Sequence, residues 1–592
     1  MKRRSDVEQQ YTWDLTILYK THEEYVRDFE KVKTLCDKTL GFKGKLNSKE
    51  AILDEMQISS EIGRLLEKME VWLMLRESID GTDKSALEDI AELENYLNDY
   101  NVKASFIETE MAALDDDFLD ELVADKRFEN FDIELRQLKE DKKHILSEEK
   151  EQMLAKVGSF VGFKSLFDKL NDIEMTFGKI KLEDGSLVDL TNDNYNLYIH
   201  SKSQDVRRDA FLELHKGFKG KNLTISENFI NFLKYCDVMA EFRNFESCFD
   251  SRLYSSRIKK SVVEGLVEKV NKHLGSAHSY LSTIQKKLGL EAMHNVDVYA
   301  PVGDSDTKVY DFDESARIVI QALEPLGEAY TTVVKTLMSN RSIDVFPTEN
   351  KGSGAFSTGC YDAPPFILLN HNGTFNDVST LAHEMGHSMH TYLSNKNQCF
   401  EKSGYDIFVA EIASTVNEIL LFKHMEKHAV SDDEKKTYVA NFLSTFYATV
   451  FRQTMFTEFE LFAHGATKNK VPLTYDKLNV EYGKLQDKYF GKSVKLLENS
   501  NVEWSRIPHF YRPFYVFKYA TGFVAACSIV MNILERGEEY VQHFYLKFLS
   551  AGCTKDPIQI LKLADVDIES DETYKKAFDF FDAYVKIFDE LN

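Results

Sequence analysis

Proline is scarce in this chain, with 9 residues in 592, and glycine supplies only 27. Few helix breakers, and long runs of Glu, Lys, Leu and Ala at helical spacing, predict a mostly α fold. Cysteine offers no scaffold. Cys36, Cys236, Cys248, Cys360, Cys399, Cys527 and Cys553 are odd in number, far apart and never spaced C-x-x-C. That argues against a disulfide framework or a thiolate zinc site and points to a reducing compartment. Positive charge is in deficit: 73 Lys and Arg stand against 97 Asp and Glu, a formal net of −24. Such a surface repels phosphate backbones and anionic lipid, so neither nucleic acid nor membrane is an expected partner. Behind Met1-Lys2-Arg3-Arg4 no apolar stretch follows, because Ser5 to Gln10 is polar, so no signal peptide is expected. The longest nearly apolar run, Gly522 to Leu534, is too short for a bilayer. A cytoplasmic location is therefore expected. Internal repeats, low-complexity tracts and flexible linkers are also missing.

What is there falls into stretches of different period. Residues 20–175 read as successive amphipathic helices. Asp115-Asp116-Asp117 among them reads as a solvated turn or helix start. Around residue 180 the period shortens. Lys179 to Leu182 and Leu187 to Leu190 alternate about Asp184-Gly185, a hairpin signal. A domain boundary is expected there, dividing 1–190, a helical lobe ending in the hairpin, from 191–592. Helical spacing resumes from Val206 to about Leu288. An irregular region follows, Val296 to Gly373, with one helix expected over Glu314–Met338. Its end is rich in Gly352, Gly354, Gly359, Pro364 and Pro365, and Phe366-Ile367-Leu368-Leu369 reads as a short buried strand. From Val378 onward the pattern is helical again.

The chemistry lies at His383-Glu384-Met385-Gly386-His387. On a helix expected over about 378–394, started by Asn376-Asp377, the two histidines stand one turn apart on one face. Their rings can converge on one ion. Glu384, offset by one position, lies beside the ion and suits a general base acting on a zinc-activated water. A third ligand is required, with a fourth position left open. Glu411 is the best candidate: it sits in the apolar stretch Phe408 to Ser414, where an unpaired charge is costly. Glu418, two turns further on, can orient a ligand histidine, and Asp377 can either cap the helix or do the same. The plain alternatives are a solvated histidine pair and salt-bridged helix acids. His424 and His428 repeat the spacing without the acid and among charges, which reads as an exposed helix end. His390 receives no role.

Thr380 to His390 resembles the metal-binding helix of oligoendopeptidase F, in the thimet-oligopeptidase-like (M3) metallopeptidases. The likeness extends over nearly the whole chain: Trp13-Asp14-Leu15, Gly354-Ala355-Phe356-Ser357 with Tyr361-Asp362, Glu411-Ile412-Ala413-Ser414, Ile507 to Gly522, and Phe548 to Gly552. Met385 and Arg512 depart from the pattern and bear on substrate preference. The resemblance implies a two-lobed helical shell with a deep substrate channel, a small β element beside the zinc-binding helix, one zinc ion per chain, and endopeptidase action on short peptides. It also implies that His509 with Tyr515 or Tyr519 supplies oxyanion donors. Tyr511 and Arg512 are neighbours on the same segment. Gly354, Ala355 and Phe356 can then pair with an extended substrate as an added strand. A zinc exopeptidase, a non-catalytic peptide-binding shell and a siteless helical scaffold are the rival readings. The oligomeric state is not legible.

Overall fold

The structure, a computed structural model, describes residues 2–158, 161–302 and 308–591. It is mostly α, as expected, with a few short strands. Two compact units share the chain. The first comprises Met1–Lys156, Lys308–Leu421 and Asn532–Asp565; the second comprises Val157–Thr307, Phe422–Met531 and Val566–Asn592.

In the first unit, long helices arise from heptad-like burial and from good caps. His22–Leu40 buries Tyr25, Phe29, Val32 and Cys36 on one face and carries Glu23 and Glu24 in its first turn, where they meet the positive end of the helix dipole. Lys49–Ile79 begins at Ser48, whose side chain accepts from the Ala51 N–H. These helices share a core with Trp13, Trp72, Phe366 and Leu368. The sheet has three strands: Ile343–Asp344 lies parallel to Phe366–Leu368, which pairs antiparallel with Phe356–Thr358 at the other edge. Trp13 explains its motif. Its Nε1 donates to the carbonyls of Ser342 and Ile367, each at 2.9 Å, so the N-terminal segment clamps two strands. Truncating a buried tryptophan of this kind costs about 3–5 kcal/mol. Lys351 adds a second clamp, with Nζ on Asp344 at 2.8 Å and on the carbonyls of Phe346 and Leu369.

In the second unit the hairpin forms as expected, with Lys179–Lys181 antiparallel to Leu187–Asp189 and Gly185 at φ +84° in the turn. The 39-residue helix Gln204–Phe242 is its backbone. Arg207 on that helix pairs with Asp297 at 2.7 Å with both side chains sealed from water. Removing either partner would strand a buried charge.

Three expectations need correction. The single helix expected over Glu314–Met338 is two, Phe312–Ala322 and Glu328–Ser339, because Pro325 and Gly327 at φ +87° interrupt it. The ligand helix runs Phe375–Asn397, and its cap is Thr374 rather than Asn376-Asp377. The apolar run near Gly522 belongs to a longer helical stretch, Phe517–Leu549, which is long and apolar enough to cross a membrane by length and composition. That window is 78% buried within the protein, as a core helix is.

Candidate metal centre and active site

The ligand helix starts in a capping box. Thr374 accepts from the Asp377 N–H, and Asp377 Oδ2 accepts in return from the Thr374 N–H at 2.8 Å. The pattern Thr374-x-x-Asp377 was a readable signal for this start. Asp377 Oδ2 also accepts from the Thr374 hydroxyl and the Asn372 N–H, so its recorded bonds serve the helix end.

A second helix, Ile407–His428, crosses the first at Gly386. A Cβ on Gly386 would lie 2.5 Å from Ser414 Cα and 2.6 Å from the Ala413 carbonyl oxygen. The glycine inside the motif thus permits a backbone approach that no other residue allows. Asn417 ties the two helices, donating to the Ala382 carbonyl at 3.1 Å and accepting from the Tyr330 hydroxyl.

That close approach brings three donor atoms together. His383 Nε2 and His387 Nε2 are 3.2 Å apart, and Glu411 Oε2 is 3.5 Å from each. A tetrahedral site with bonds of about 2.0–2.1 Å has ligand–ligand edges of about 3.3–3.4 Å, so the triangle fits a metal with one position left open. Among the described residues, this is the one group of three His, Cys, Asp or Glu whose donor atoms lie within 4.8 Å of one another. His424 and His428 belong to no such group among the described residues.

The surroundings order the triangle. Glu418 Oε1 bonds His383 Nδ1, which leaves Nε2 to face the triangle. Burial pushes the His383 pKa down, but the bond to Glu418 and the charges of Glu418, Glu384 and Glu411 outweigh it and lift it to about 9. Glu411 is held below the usual carboxylate range by its bond to His387, against the opposing effect of burial. Glu384 is only 7% exposed. Burial raises its pKa, partly offset by the two histidines and by the Ser357 backbone N–H. Ser357 belongs to the edge strand Phe356–Thr358, and its hydroxyl meets that of Ser388 on the ligand helix at 2.8 Å. Sequence reasoning gave Ser357 no role, since no spacing links residue 357 to residue 384. His390 packs as an uncharged ring 3.8 Å from the Tyr405 ring, its pKa driven down to about 3 by burial.

Beside this strand, Gly354 adopts φ +80°, and the Asn370 amide donates to the carbonyls of Gly352 and Gly354 at 2.9 Å each. Gly354 and Ala355 line a cavity of about 190 Å³ together with His371, Asn376 and Thr380.

The remaining predicted residues lie in the second unit. His509, Tyr515 and Tyr519 form one ring cluster: Tyr515 to Tyr519 is 5.2 Å between centroids, His509 to Tyr519 is 6.0 Å and His509 to Tyr515 is 6.4 Å. Burial and the charges of Arg512 and Lys164 lower the His509 pKa, so the ring is neutral at pH 7. Arg512 is exposed, with its guanidinium 3.8 Å from the centre of the Tyr515 ring. Tyr511 packs on Phe167 and Phe232 and accepts from the Asn228 amide at 3.0 Å.

Comparison with known proteins identifies the family. The model of peptidase family M3 matches residues 197–580, and that described as oligopeptidase F matches residues 110–177. The Oligopeptidase PepF of Bacillus subtilis is 32% identical, over 99% of this chain and 88% of that protein. An oligoendopeptidase F homolog of Borreliella burgdorferi is 33% identical over 98% of each. A crystal structure of oligoendopeptidase-F from Enterococcus faecium is similar at a TM-score of 0.73 and 28% identity, covering 96% of this chain and 98% of that one. A solved structure from Chlamydophila abortus reaches 0.94 at 30% identity over the whole of both chains. The chain therefore belongs to peptidase family M3, in its oligoendopeptidase F branch, and is a metallopeptidase.

Proposed function

We propose that the protein is a zinc endopeptidase that hydrolyses internal bonds of short, unstructured peptides. One observation carries the reading: the triangle of His383, His387 and Glu411 donors, with the buried carboxylate of Glu384 next to it in sequence. These three residues would hold one zinc ion per chain. When bound, zinc polarises a carbonyl and lowers the pKa of a water from 15.7 to about 7.

The rest is done by the chain. Glu384, its proton affinity raised by burial, takes the proton of the attacking water and delivers it to the leaving amine nitrogen. The Ser357 N–H aims that carboxylate. Glu418 fixes the tautomer of His383. Neutral His509 and the hydroxyls of Tyr515 and Tyr519 offer N–H and O–H donors to a developing oxyanion. Phe356–Thr358, at the edge of its sheet, can receive an extended peptide as a further strand, with Gly354 and Ala355 leading into it. Arg512, stacked on the Tyr515 ring, and Tyr511, its neighbour in sequence, are candidates for contacts with the peptide.

Peptides of limited size are supported by the names of the relatives, oligopeptidase and oligoendopeptidase. Unfolding a substrate domain would cost about 5–15 kcal/mol, which nothing in the sequence supplies. All seven cysteines are free, in keeping with the cytoplasm. The two family models end at 177 and begin at 197, which supports a division near residue 190 into an N-terminal helical lobe and a catalytic domain.

The test is Glu384→Gln, assayed with an internally quenched peptide blocked at both ends. The variant should keep its zinc and lose about 100- to 10,000-fold in kcat. Substantial turnover by the zinc-loaded variant removes Glu384 as the base. Failure of the wild type on blocked peptides, with cleavage of free ones, favours the exopeptidase reading. Zinc binding without any hydrolysis favours the binding shell.

A further inference from the structure

Phe514 has no ordinary reason to sit where it does. It lies between His509 and Tyr515 at φ +54°, in the left-handed region that a bulky residue almost never adopts. Such a conformation persists only where the surroundings over-determine it. Here they do, and every partner belongs to the second unit. The Phe514 N–H donates to Glu460 Oε1 at 2.8 Å. Its ring is held between His464, at 4.8 Å, and Phe249, at 4.6 Å.

Glu460 is the unusual member. Its side chain is on the helix Arg452–Lys468, is 1% exposed, and among the described residues forms no ion pair. Oε1 is used on Phe514, while Oε2 is buried without a hydrogen bond. A fold does not keep a carboxyl in such a place for stability, because an apolar side chain would pack there at less cost. Its one recorded bond goes to the backbone of the segment that bears the ring cluster.

We infer that Glu460 is a positioning residue for the reaction: by accepting from the Phe514 N–H it locks the left-handed turn that sets Tyr515 and Tyr519 against His509. The inference rests on the reading of those three groups as oxyanion donors. The turn itself continues into the cluster. The Arg512 N–H donates to the His509 carbonyl at 2.8 Å, and the N–H groups of Lys518 and Tyr519 close on the carbonyls of Tyr515 and Val516 at 3.1 and 3.2 Å. Rotation at Phe514 would swing Arg512 away from Tyr515 and open the ring cluster. Burial raises the Glu460 pKa well above the usual carboxylate range, and toward Phe514 the group acts only as an acceptor, a role that an amide carbonyl fills as well.

This gives a pair of conservative variants with opposite expectations. Glu460→Gln keeps the length and the carbonyl, and should retain most of the kcat. Glu460→Asp keeps the acid but withdraws it by one methylene, and should lose about 10- to 100-fold in kcat with KM and zinc content near wild type, as small misplacements do. Glu460→Met, which has no acceptor, should behave like the aspartate. Should the methionine variant not fold, the first two decide alone. Equal kcat for the Gln and Asp variants, whether both high or both low, overturns the inference. His509→Ala, Tyr515→Phe and Tyr519→Phe are measured alongside. If all three are fully active the oxyanion reading has failed, whereas a loss in one of them with an active Glu460→Asp fails only the positioning role.

Discussion

The donors His383, His387 and Glu411 stand on two regular helices, whereas His509 and Tyr515 hang on an irregular segment that passes through a left-handed Phe514 before the helix that carries Tyr519 begins at Phe517. The first arrangement is held by ordinary means: helix spacing, a glycine at the crossing, a capping box, one asparagine tie. The second is held by ring contacts and by a buried acid. The difference fits the two tasks proposed for them. Ligands of a metal gain from placement on rigid elements, where spacing alone sets the geometry. Donors aimed at a transition state need an angle that no regular element offers, and strain is the usual means of reaching it.

The sharpest way to break the comparison is to remove a ligand. Glu411→Ala takes away one of the three proposed ligands and should reduce zinc affinity by far more than about 100-fold. Glu418→Ala should reduce it by about 10- to 100-fold, since it only orients His383. Chelator competition measures both. Wild-type affinity in Glu411→Ala would mean that another group completes the triangle.

Next in size are the groups on the irregular segment. At least one of Tyr515→Phe, Tyr519→Phe and His509→Ala should lower kcat by about 100- to 1000-fold with zinc content unchanged, because a donor to the oxyanion acts only in the transition state. Steady-state kinetics on the zinc-loaded variants decides it. Full kcat in all three would reduce the segment to packing, and the contrast between the two regions would lose its functional meaning.

The same contrast governs what could be read from sequence. His383, Glu384 and His387 announce themselves because an i, i+4 pair on a helix is a geometric statement. Glu411 was found from its apolar neighbourhood, and the hairpin at 179–189 from its period and its Asp184-Gly185 turn. Ser357 was invisible, since its contact with Glu384 arises from a strand edge meeting a helix. Nothing in the spacing of His509, Tyr515 and Tyr519 singles them out from the other rings of an aromatic-rich chain; only the family resemblance did so. The left-handed turn at Phe514 was equally hidden, because glycine is the residue that advertises such a turn and none is present. The break between Phe312–Ala322 and Glu328–Ser339 is written in Pro325 and Gly327, while the apolar period on either side runs on as if the helix were continuous.

The smallest expected effect separates two roles for Asp377. Its recorded bonds go to Thr374 and Asn372 at the start of the ligand helix, which makes it a cap; its position six residues before His383 had also suggested that it orients a ligand. A cap and an orienting group fail differently. Loss of the reciprocal bond and of a negative charge at the positive end of the helix costs about 1 kcal/mol, spent on the first turn. Asp377→Ala should therefore raise amide exchange at Thr374, at position 377 and at Val378 by about fivefold, while leaving the affinity for zinc within the error of chelator competition. The rest of the helix, anchored by the Gly386 crossing and the Asn417 tie, should exchange as in the wild type. A tenfold or greater fall in zinc affinity, with unchanged exchange in the first turn, would instead make Asp377 part of the shell that orients the histidines, and the ligand helix would depend on its own start for chemistry as well as for stability.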